Sequence, residues 1–263
     1  MIRWALVILL SAVVPHFPGA QEIHSEHFYF GMPGGTPTEN DLIIRDLYAL
    51  SANGTTRFAD WVAYRLTPAE VWGDLDLERE WRADPWLDDD ERLEPSGPDD
   101  YGGAYRAYRY DRGHLAPLGS FVGSPAASSV NYYSNIVPQT AQLNRGPWRI
   151  LEETVRELVL EYHEVFVVAG TLYDGPAMPA LPEADEEHTV PTGFWKVVVV
   201  PALGDEGVGA YIMPQQGFTE GDPAGFLTSI DEVEHRSGLS LFPKRTDAGW
   251  ERLERETSTP SWE

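Results

Sequence analysis

The sequence predicts an α+β fold in which a central antiparallel β-sheet is flanked by helices. Three observations support this class: two β-type segments joined by a tight turn, three β-rich segments in the second half, and an amphipathic helix between them. Strands that follow one another through short turns pair antiparallel, and an amphipathic helix buries its apolar stripe against the sheet they form.

The first pair of strands is expected over residues 41–50 and 56–66. Between them, Asn53-Gly54 favours a two-residue hairpin turn because both residues tolerate a positive φ. Further strands are expected over 164–172, 193–201 and 208–213, and the four consecutive valines of 197–200 indicate a strand that is buried on both faces.

A helix is expected from Pro147 onward, since proline suits the first turn of a helix. It has an apolar stripe, formed by Trp148, Leu151, Val155 and Leu158. It also has a polar stripe, formed by Arg145, Arg149, Glu152 and Arg156. The simplest interpretation of the polar stripe is a solvated face with an ion pair between Glu152 and Arg156. A short helix over 230–237 is predicted by a capping box at Ser229 and Glu232 and by Gly238 as a stop.

The length of 263 residues and the 42% hydrophobic content predict one folded domain, over 41–243. Residues 1–20 combine a short basic start, an apolar run and a small-residue stretch, which is typical of a signal peptide cleaved near Ala20. The mature protein would then be secreted or periplasmic, with no membrane anchor. The alternatives are a retained anchor and a buried first helix. Residues 21–40 are expected to form a loop and residues 244–263 a loose polar tail.

The composition excludes some chemistry and favours other kinds. There is no cysteine, so disulfides, thiol catalysis and cysteine-based zinc sites are excluded. The net charge of −23, from 42 acidic and 19 basic residues, opposes binding of nucleic acid by the surface as a whole. Within residues 101–160, however, six arginines outnumber four carboxylates. A locally positive cleft on an acidic body would suit a polyanionic substrate.

The most informative stretch is Asp111-Arg112-Gly113-His114. Tyrosines alternate over 101–110, which favours a strand that enters a glycine-containing turn and places His114 at its exit. Another short strand is expected over 132–137, ended by Pro138, and it contains Asn135. Asn144 then stands at the entrance of the long helix, on the side that carries Glu152. On composition alone, Arg79 belongs to an acidic surface loop.

These residue types suit metal-assisted hydrolysis of a phosphodiester. A histidine can accept the proton of the attacking water at neutral pH. A hard cation such as Mg²⁺ can neutralise developing charge, and it needs few protein oxygens because it keeps several waters. The carboxamide of Asn144 offers one such oxygen, Glu152 could orient metal-bound water, and arginines bind phosphate in bidentate fashion.

Taken together, 111–114, 135–139 and 143–148 with Glu152 and Arg156 resemble the DNA/RNA non-specific endonuclease family, the ββα-metal finger group that includes Serratia-type secreted nucleases and endonuclease G. Roughly residues 40–242 share the likeness. The resemblance implies His114 as general base and Asn144 as the sole protein ligand of Mg²⁺, with Mn²⁺ as an alternative ion. It further implies that Glu152 holds the metal's waters, that phosphate is met by Arg79, Arg112 and Arg156, and that substrate binding involves Asn135 and Arg149.

The implied activity is hydrolysis of DNA and RNA, single- or double-stranded, to products with a 5′-phosphate and a 3′-hydroxyl. A homodimer is a further expectation. Two alternatives stay open: a non-catalytic nucleic-acid-binding module on the same fold, and a phosphodiesterase for small or lipid phosphodiesters. This chain departs from secreted relatives in lacking cysteine, and its acidic surface predicts activity that persists at high salt.

Overall fold

The computed structural model describes residues 23–75, 79–96, 99–219, 221–245, 248–257 and 259–263. The predicted signal peptide lies outside the described residues. Within those ranges, no helix combines the length and the apolar character that crossing a membrane requires.

The strands of the described residues form one large sheet and one separate ribbon. Seven strands pair antiparallel throughout, in the order β1-β2-β3-β6-β7-β8-β9, and β4 pairs antiparallel with β5. Their bounds are β1 Asp41–Ile44, β2 Ala49–Asn53, β3 Phe58–Leu66, β4 Tyr110–His114, β5 Ile136–Thr140, β6 Val165–Leu172, β7 Gly193–Val199, β8 Val208–Pro214 and β9 Leu227–Thr228.

Helices cover this sheet and connect it to the ribbon. The α-helices are α1 Pro68–Val71, α2 Ala104–Tyr108, α3 Ala141–Leu143, α4 Arg149–Tyr162, α5 Ile230–Ser237 and α6 Ala248–Arg255. A π-helical turn, Asn144–Trp148, joins α3 to α4. Short 3-10 segments occur at Asp89–Glu91, Leu118–Ser120, Ala127–Asn131, Tyr133–Asn135, Pro201–Gly207 and Pro223–Phe226.

The middle of the sheet is buried on both faces, as β7 shows. Phe194 and Val198 point into the core that contains α4, whereas Trp195 and Val197 point into the core that contains α5 and α6. This alternation follows from the two-residue period of a strand. The α+β class with a central antiparallel sheet is confirmed, and so are the predicted strands of the second half and the helix over 230–237.

The predicted strand over 41–50 is wrong in its extent, because the chain turns back within it. Arg45 N–H donates to the Tyr48 carbonyl (2.8 Å), so β1 and β2 form a hairpin of their own. A turn does join these strands, but the predicted two-residue turn at Asn53-Gly54 is wrong: Asn53 pairs with Phe58, so residues 54–57 form the loop, and its positive φ (+67°) lies at Arg57.

The expectation of a strand over 101–110 is also wrong. Gly103 (φ +66°) begins α2, and Arg109 (φ +62°) ends it and turns the chain into β4. Tyr105 and Tyr108 lie three residues apart on that helix, a spacing that suits one helical face as well as a strand.

Two further expectations fail for reasons of packing. Pro138 lies inside β5 rather than at its end, because β5 belongs to a two-stranded ribbon, where a missing N–H is tolerated. The tail is not loose throughout: α6 buries Trp250 against Phe242, with the ring centroids 5.3 Å apart, and against Phe30 at 5.8 Å.

Candidate active site

The β4–β5 ribbon brings the two sequence motifs together. Asp111 pairs with Gln139, and His114 pairs with Ile136. Between them, Gly113 lies against the buried side chain of Gln139, where a Cβ would come within 2.2 Å of Gln139 Oε1. Close packing therefore favours glycine at this position, since any larger residue would displace the buried Gln139 side chain.

The ribbon is attached to the large sheet through the buried side chain of Gln215, just beyond β8. Gln215 Oε1 accepts a hydrogen bond from Thr140 N–H (2.8 Å), and its Nε2 donates to the Pro138 carbonyl (2.6 Å). Thr140 Oγ1 also donates to the Gln215 carbonyl (2.7 Å). These contacts fix the end of β5, and with it the register of His114.

The entrance of α4 lies beside the end of β4. Gly146 has non-helical dihedral angles (φ −104°, ψ −120°), which interrupt the helix between Asn144 and Trp148. Trp148 is fully buried, and its Nε1–H donates to the His114 carbonyl (3.4 Å). This contact connects the start of α4 to the backbone of His114.

An open cleft of about 580 Å³ lies between the ribbon, α2 and α4. Its lining contains almost all the site residues predicted from sequence: Arg79, Arg112, His114, Asn144, Arg149, Glu152 and Arg156. It also contains Trp81, Tyr101, Tyr105, Tyr110, Asp111, Pro117, Leu118, Gly119, Arg145 and Glu153. Basic and aromatic groups dominate this lining, although the chain as a whole is strongly acidic.

His114 is held in one orientation by a buried asparagine. Its Nε2 lies 2.9 Å from Asn131 Oδ1; because this oxygen is an acceptor, Nε2 carries the proton and Nδ1 keeps its lone pair. The Trp81 ring stacks obliquely at 5.5 Å. Burial lowers the pKa of His114 to about 4, the Asn131 hydrogen bond opposes this, and the charge of Arg79 adds to it. The imidazole is therefore neutral at neutral pH.

Asn144 is oriented by Asp111. Asn144 Nδ2 donates to Asp111 Oδ2 (3.0 Å), so its Oδ1 is the end that remains for a cation. Arg145 binds the same carboxylate through Nε (2.8 Å) and Nη2 (2.6 Å). Sequence reasoning gave Asp111 no role of its own. Its position at the start of the histidine motif, beside several arginines, was the available signal.

Glu152 lies at the floor of the cleft. Its ion pair is with Lys196, at 3.8 Å between Oε1 and Nζ, and not with Arg156, so the simple solvated-face interpretation of the helix is wrong here. Burial raises the pKa of Glu152, while the charges of Lys196 and Arg156 oppose that rise. Sequence reasoning missed Lys196, which looks like an ordinary strand residue.

The arginines differ in how firmly they are held. Arg112 pairs with Asp99 and donates from Nε to the Tyr133 hydroxyl (2.9 Å). Arg149 is more exposed and pairs with Glu153 one helical turn away. Arg156 packs beside Gly119, where a Cβ would lie 3.5 Å from its Nη1. Arg79 is exposed at the rim.

Asn135 is the one predicted site residue that does not line the cleft. It is fully buried, accepts from Ala116 N–H (2.8 Å), and donates to the carbonyls of Ala116 (2.9 Å) and Val130 (2.8 Å). The expectation of direct substrate contact is not supported by this position. Asn135 shapes the turn after β4 instead.

The donor set of the cleft fits a hydrated hard cation: one amide oxygen on Asn144, a carboxylate on Glu152, and arginines for phosphate. A separate group of carboxylates, Asp100, Asp185 and Glu186, has ligand atoms within 4.8 Å of one another. Acidic clusters of this kind are common without a metal, and this one contains none of the predicted site residues.

Comparison with known proteins agrees with this geometry. Residues 23–248 match the family model described as DNA/RNA non-specific endonuclease. The chain is similar to a nuclease of Serratia marcescens, with 38% identity over 79% of this chain and 78% of that protein. It is also similar to the mitochondrial endonuclease G of Homo sapiens, with 32% identity over 81% and 72% of the two chains.

A solved structure supports the same relationship. The crystal structure of an EndoG/EndoGI complex superimposes with a TM-score of 0.68 at 26% sequence identity, covering 84% of this chain and 91% of the other. The ββα arrangement, the arginine-lined cleft and the extent of the family match lead to one conclusion. The chain belongs to the DNA/RNA non-specific endonuclease family and is, by that membership, a phosphodiester hydrolase.

Proposed function

We propose that this chain is a secreted, Mg²⁺-dependent endonuclease that cleaves DNA and RNA without preference for the sugar and leaves 5′-phosphate and 3′-hydroxyl ends. The observation that carries the proposal is that His114 and Asn144 line the same cleft. Trp148 ties the histidine backbone to the helix entrance, and Asp111 directs the asparagine from the same ribbon.

His114 is the general base. Its Nδ1 takes the proton of the attacking water, while Asn131 keeps the ring in the required tautomer and orientation. The lowered pKa keeps the base free of protons well below neutral pH. Trp81 covers part of the ring and limits the directions from which water reaches it.

Asn144 and Glu152 would hold the divalent cation, Asn144 through its Oδ1 and Glu152 through waters. When bound, the cation supplies positive charge for the scissile phosphate and the leaving oxygen. Asp111 keeps the Asn144 amide from turning its nitrogen inward. Mn²⁺ is expected to replace Mg²⁺, because it accepts the same oxygen donors.

Arg79, Arg112 and Arg156 bind the scissile phosphate and its neighbours. Guanidinium groups match phosphate oxygens in bidentate geometry and carry no information about the base or the sugar. Contacts limited to the backbone account for cleavage of both DNA and RNA.

The rim on the α2 side favours a polymer over a small phosphodiester. Arg109 and Arg145 approach the ring of Tyr105, at 4.1 and 5.1 Å from its centroid, and Arg149 lies further along the cleft. These cations extend beyond the site of cleavage.

Arg109→Glu should lower kcat/KM for DNA and leave hydrolysis of bis(p-nitrophenyl) phosphate unchanged. An equal loss on both substrates would favour the small-diester alternative.

The deciding experiment is digestion of plasmid DNA and of RNA by the wild-type protein and His114→Ala, with Mg²⁺ or Mn²⁺ and with EDTA. We expect cleavage of both polymers by the wild type with metal only, and 5′-phosphorylated ends on the products. Binding of both polymers without cleavage would instead establish the non-catalytic alternative.

Secretion and assembly need separate measurements. Sequencing the N-terminus of the protein recovered from the culture medium or periplasm should find a start near residue 21. Retention in the membrane fraction would contradict signal cleavage. The mass in solution, from sedimentation equilibrium, tests the expected homodimer.

A further inference from the structure

Lys196 is a charged residue in a position where the fold calls for an apolar one. It lies on β7, in the middle of the large sheet, and its side chain has 0% exposure. On the same face of the strand, Phe194 and Val198 are part of the apolar core. Within the described part of the chain, the Lys196 ammonium makes no hydrogen bond. Burying an ammonium in such surroundings is strongly unfavourable unless another group compensates.

Two groups of the active-site helix supply that compensation. Lys196 Nζ lies 3.8 Å from Glu152 Oε1 and 3.8 Å from the centroid of the Trp148 ring. The ring face attracts a cation, and the carboxylate provides the opposite charge. Trp148 in turn donates to the carbonyl of His114. One lysine on the sheet therefore lies behind both the carboxylate and the histidine of the cleft.

We propose that Lys196 is a positioning residue of the nuclease: its ammonium, packed on Trp148, holds the Glu152 carboxylate in place in the lining of the cleft, where this carboxylate would accept hydrogen bonds from water on the divalent cation. The inference rests on the proposed function, because it takes Glu152 as the residue that holds those waters.

The electrostatics of the pair agree with this role. Burial raises the pKa of Glu152, and the charge of Lys196 is the largest influence against that rise. Burial likewise lowers the pKa of Lys196, to about 8, and the charge of Glu152 opposes it. The two opposite charges therefore stabilise each other, and removal of the lysine would leave the Glu152 carboxylate without the ammonium that lies beside it.

The test is Mn²⁺ binding without nucleic acid, measured by electron paramagnetic resonance, for the wild type, Lys196→Met, Glu152→Gln and the double variant. Methionine keeps the length of the side chain without its charge. We expect Lys196→Met to raise the Kd for Mn²⁺ by roughly tenfold or more, as is usual when a partner of a metal-holding group is lost. The double variant should bind no more weakly than Glu152→Gln, because lysine would act only through the carboxylate.

Lys244→Met is the matched control, since Lys244 is the other lysine of the chain and its backbone N–H donates to Phe30, at the core that contains α6. It should leave Kd unchanged. In nuclease assays, Lys196→Met should lower kcat with KM for DNA within about twofold, because arginines rather than Lys196 contact the substrate.

Three results would overturn the inference: a Kd for Lys196→Met equal to that of the wild type, a double variant that binds at least threefold more weakly than Glu152→Gln, or a KM that rises with kcat unchanged. If Lys196→Met does not fold, the comparison of Glu152→Gln with the double variant still decides, because the double variant leaves no buried charge unpaired. A wild type that neither binds Mn²⁺ nor cleaves DNA would instead contradict the proposed function.

Discussion

Two polar cavities of this protein contain similar residues and differ in how those residues are occupied. The second cavity, of about 400 Å³, lies beside α5 at the ends of β2 and β6. There Asp60 accepts from Asn40 (2.6 Å) and Asn53 (3.1 Å), and Arg236 pairs in bidentate fashion with Asp174 (2.6 and 3.1 Å). Each charged group in its lining has a partner of its own.

The cleft that contains His114 and Asn144 is organised differently. Asp111 binds only one end of the Asn144 amide, Asn131 occupies one nitrogen of His114, and Glu152 faces an ammonium without a hydrogen bond. In His114 and in Asn144, one polar atom is used to orient the side chain and the other is left for the cleft. The comparison shows that residue types alone do not identify a functional site. A better indication is a polar side chain that one hydrogen bond holds in place while another of its polar atoms has no partner.

The largest expected effect is that of His114→Ala. Loss of the proposed general base should lower kcat by about 10²–10⁴-fold on DNA and RNA alike. His235→Ala, an exposed histidine of α5, is the control and should retain full activity. Steady-state kinetics measure both, and equal activities of the two variants would contradict the proposed role of His114 as general base.

Asp111→Asn tests whether orientation of Asn144 matters. The variant lacks the charge that fixes the Asn144 amide, so the Mg²⁺ concentration for half-maximal activity should rise roughly 10–100-fold. Glu153→Gln, which disturbs only the partner of Arg149, should leave that concentration unchanged. A normal Mg²⁺ requirement in Asp111→Asn would show that the amide needs no such support.

The pH dependence follows from the lowered pKa of His114. A histidine with a pKa of about 4 stays unprotonated as the pH falls from 7 to 5, so kcat/KM should fall less than about twofold over that range. An ordinary histidine with a pKa of about 6.5 would give roughly a 25-fold fall. Because the folded-state pKa lies below the unfolded one, the contribution of His114 to stability is present above about pH 6.5 and is lost toward pH 4.

Asn135→Ala should affect stability more than substrate binding. The change removes three buried hydrogen bonds and leaves backbone groups of Ala116 and Val130 without partners, at a cost of about 3 kcal/mol in the free energy of unfolding. Urea unfolding measures this cost. Unchanged stability with a raised KM for DNA would return Asn135 to the substrate-binding residues.

The smallest effect is expected in the second cavity. Arg236 and Asp174 are both about one-third exposed, so Arg236→Gln should cost less than about 1 kcal/mol and leave nuclease activity unchanged. A clear loss of activity would show that the second cavity is coupled to the cleft. Urea unfolding and plasmid digestion on the same preparation measure both quantities.

Local sequence patterns predicted the strands and helices whose formation depends on residues that are neighbours in the chain. Consecutive valines gave β7, the helical stripes gave α4, and the histidine motif led to His114, Asn144 and Glu152 in one cleft. What sequence could not provide depends on contacts between distant residues. Nothing in the sequence around Lys196 indicates that its partner is Glu152, 44 positions away. Asn131 and Gln215 likewise cannot be distinguished from other polar residues by their sequence neighbours.

Asn135 is the opposite case: the sequence suggested a role in substrate binding, but the side chain is buried. It lies in a motif that carries the family resemblance, yet its side chain faces the core, because a polar residue that repairs a backbone turn and one that meets a ligand have the same local pattern. Likewise α2 replaced an expected strand, since two glycines before it and a left-handed Arg109 after it decide the backbone there.

The hydrogen bonds between Gln215 and Thr140 have a consequence for the order in which the protein is synthesised and folds. The two residues are 75 positions apart, so a chain that is still emerging from the ribosome carries the histidine and the asparagine long before the glutamine that aligns them. We therefore expect a nascent or truncated chain that ends before β8 to lack the contacts that fix the end of β5 and, with it, the register of His114.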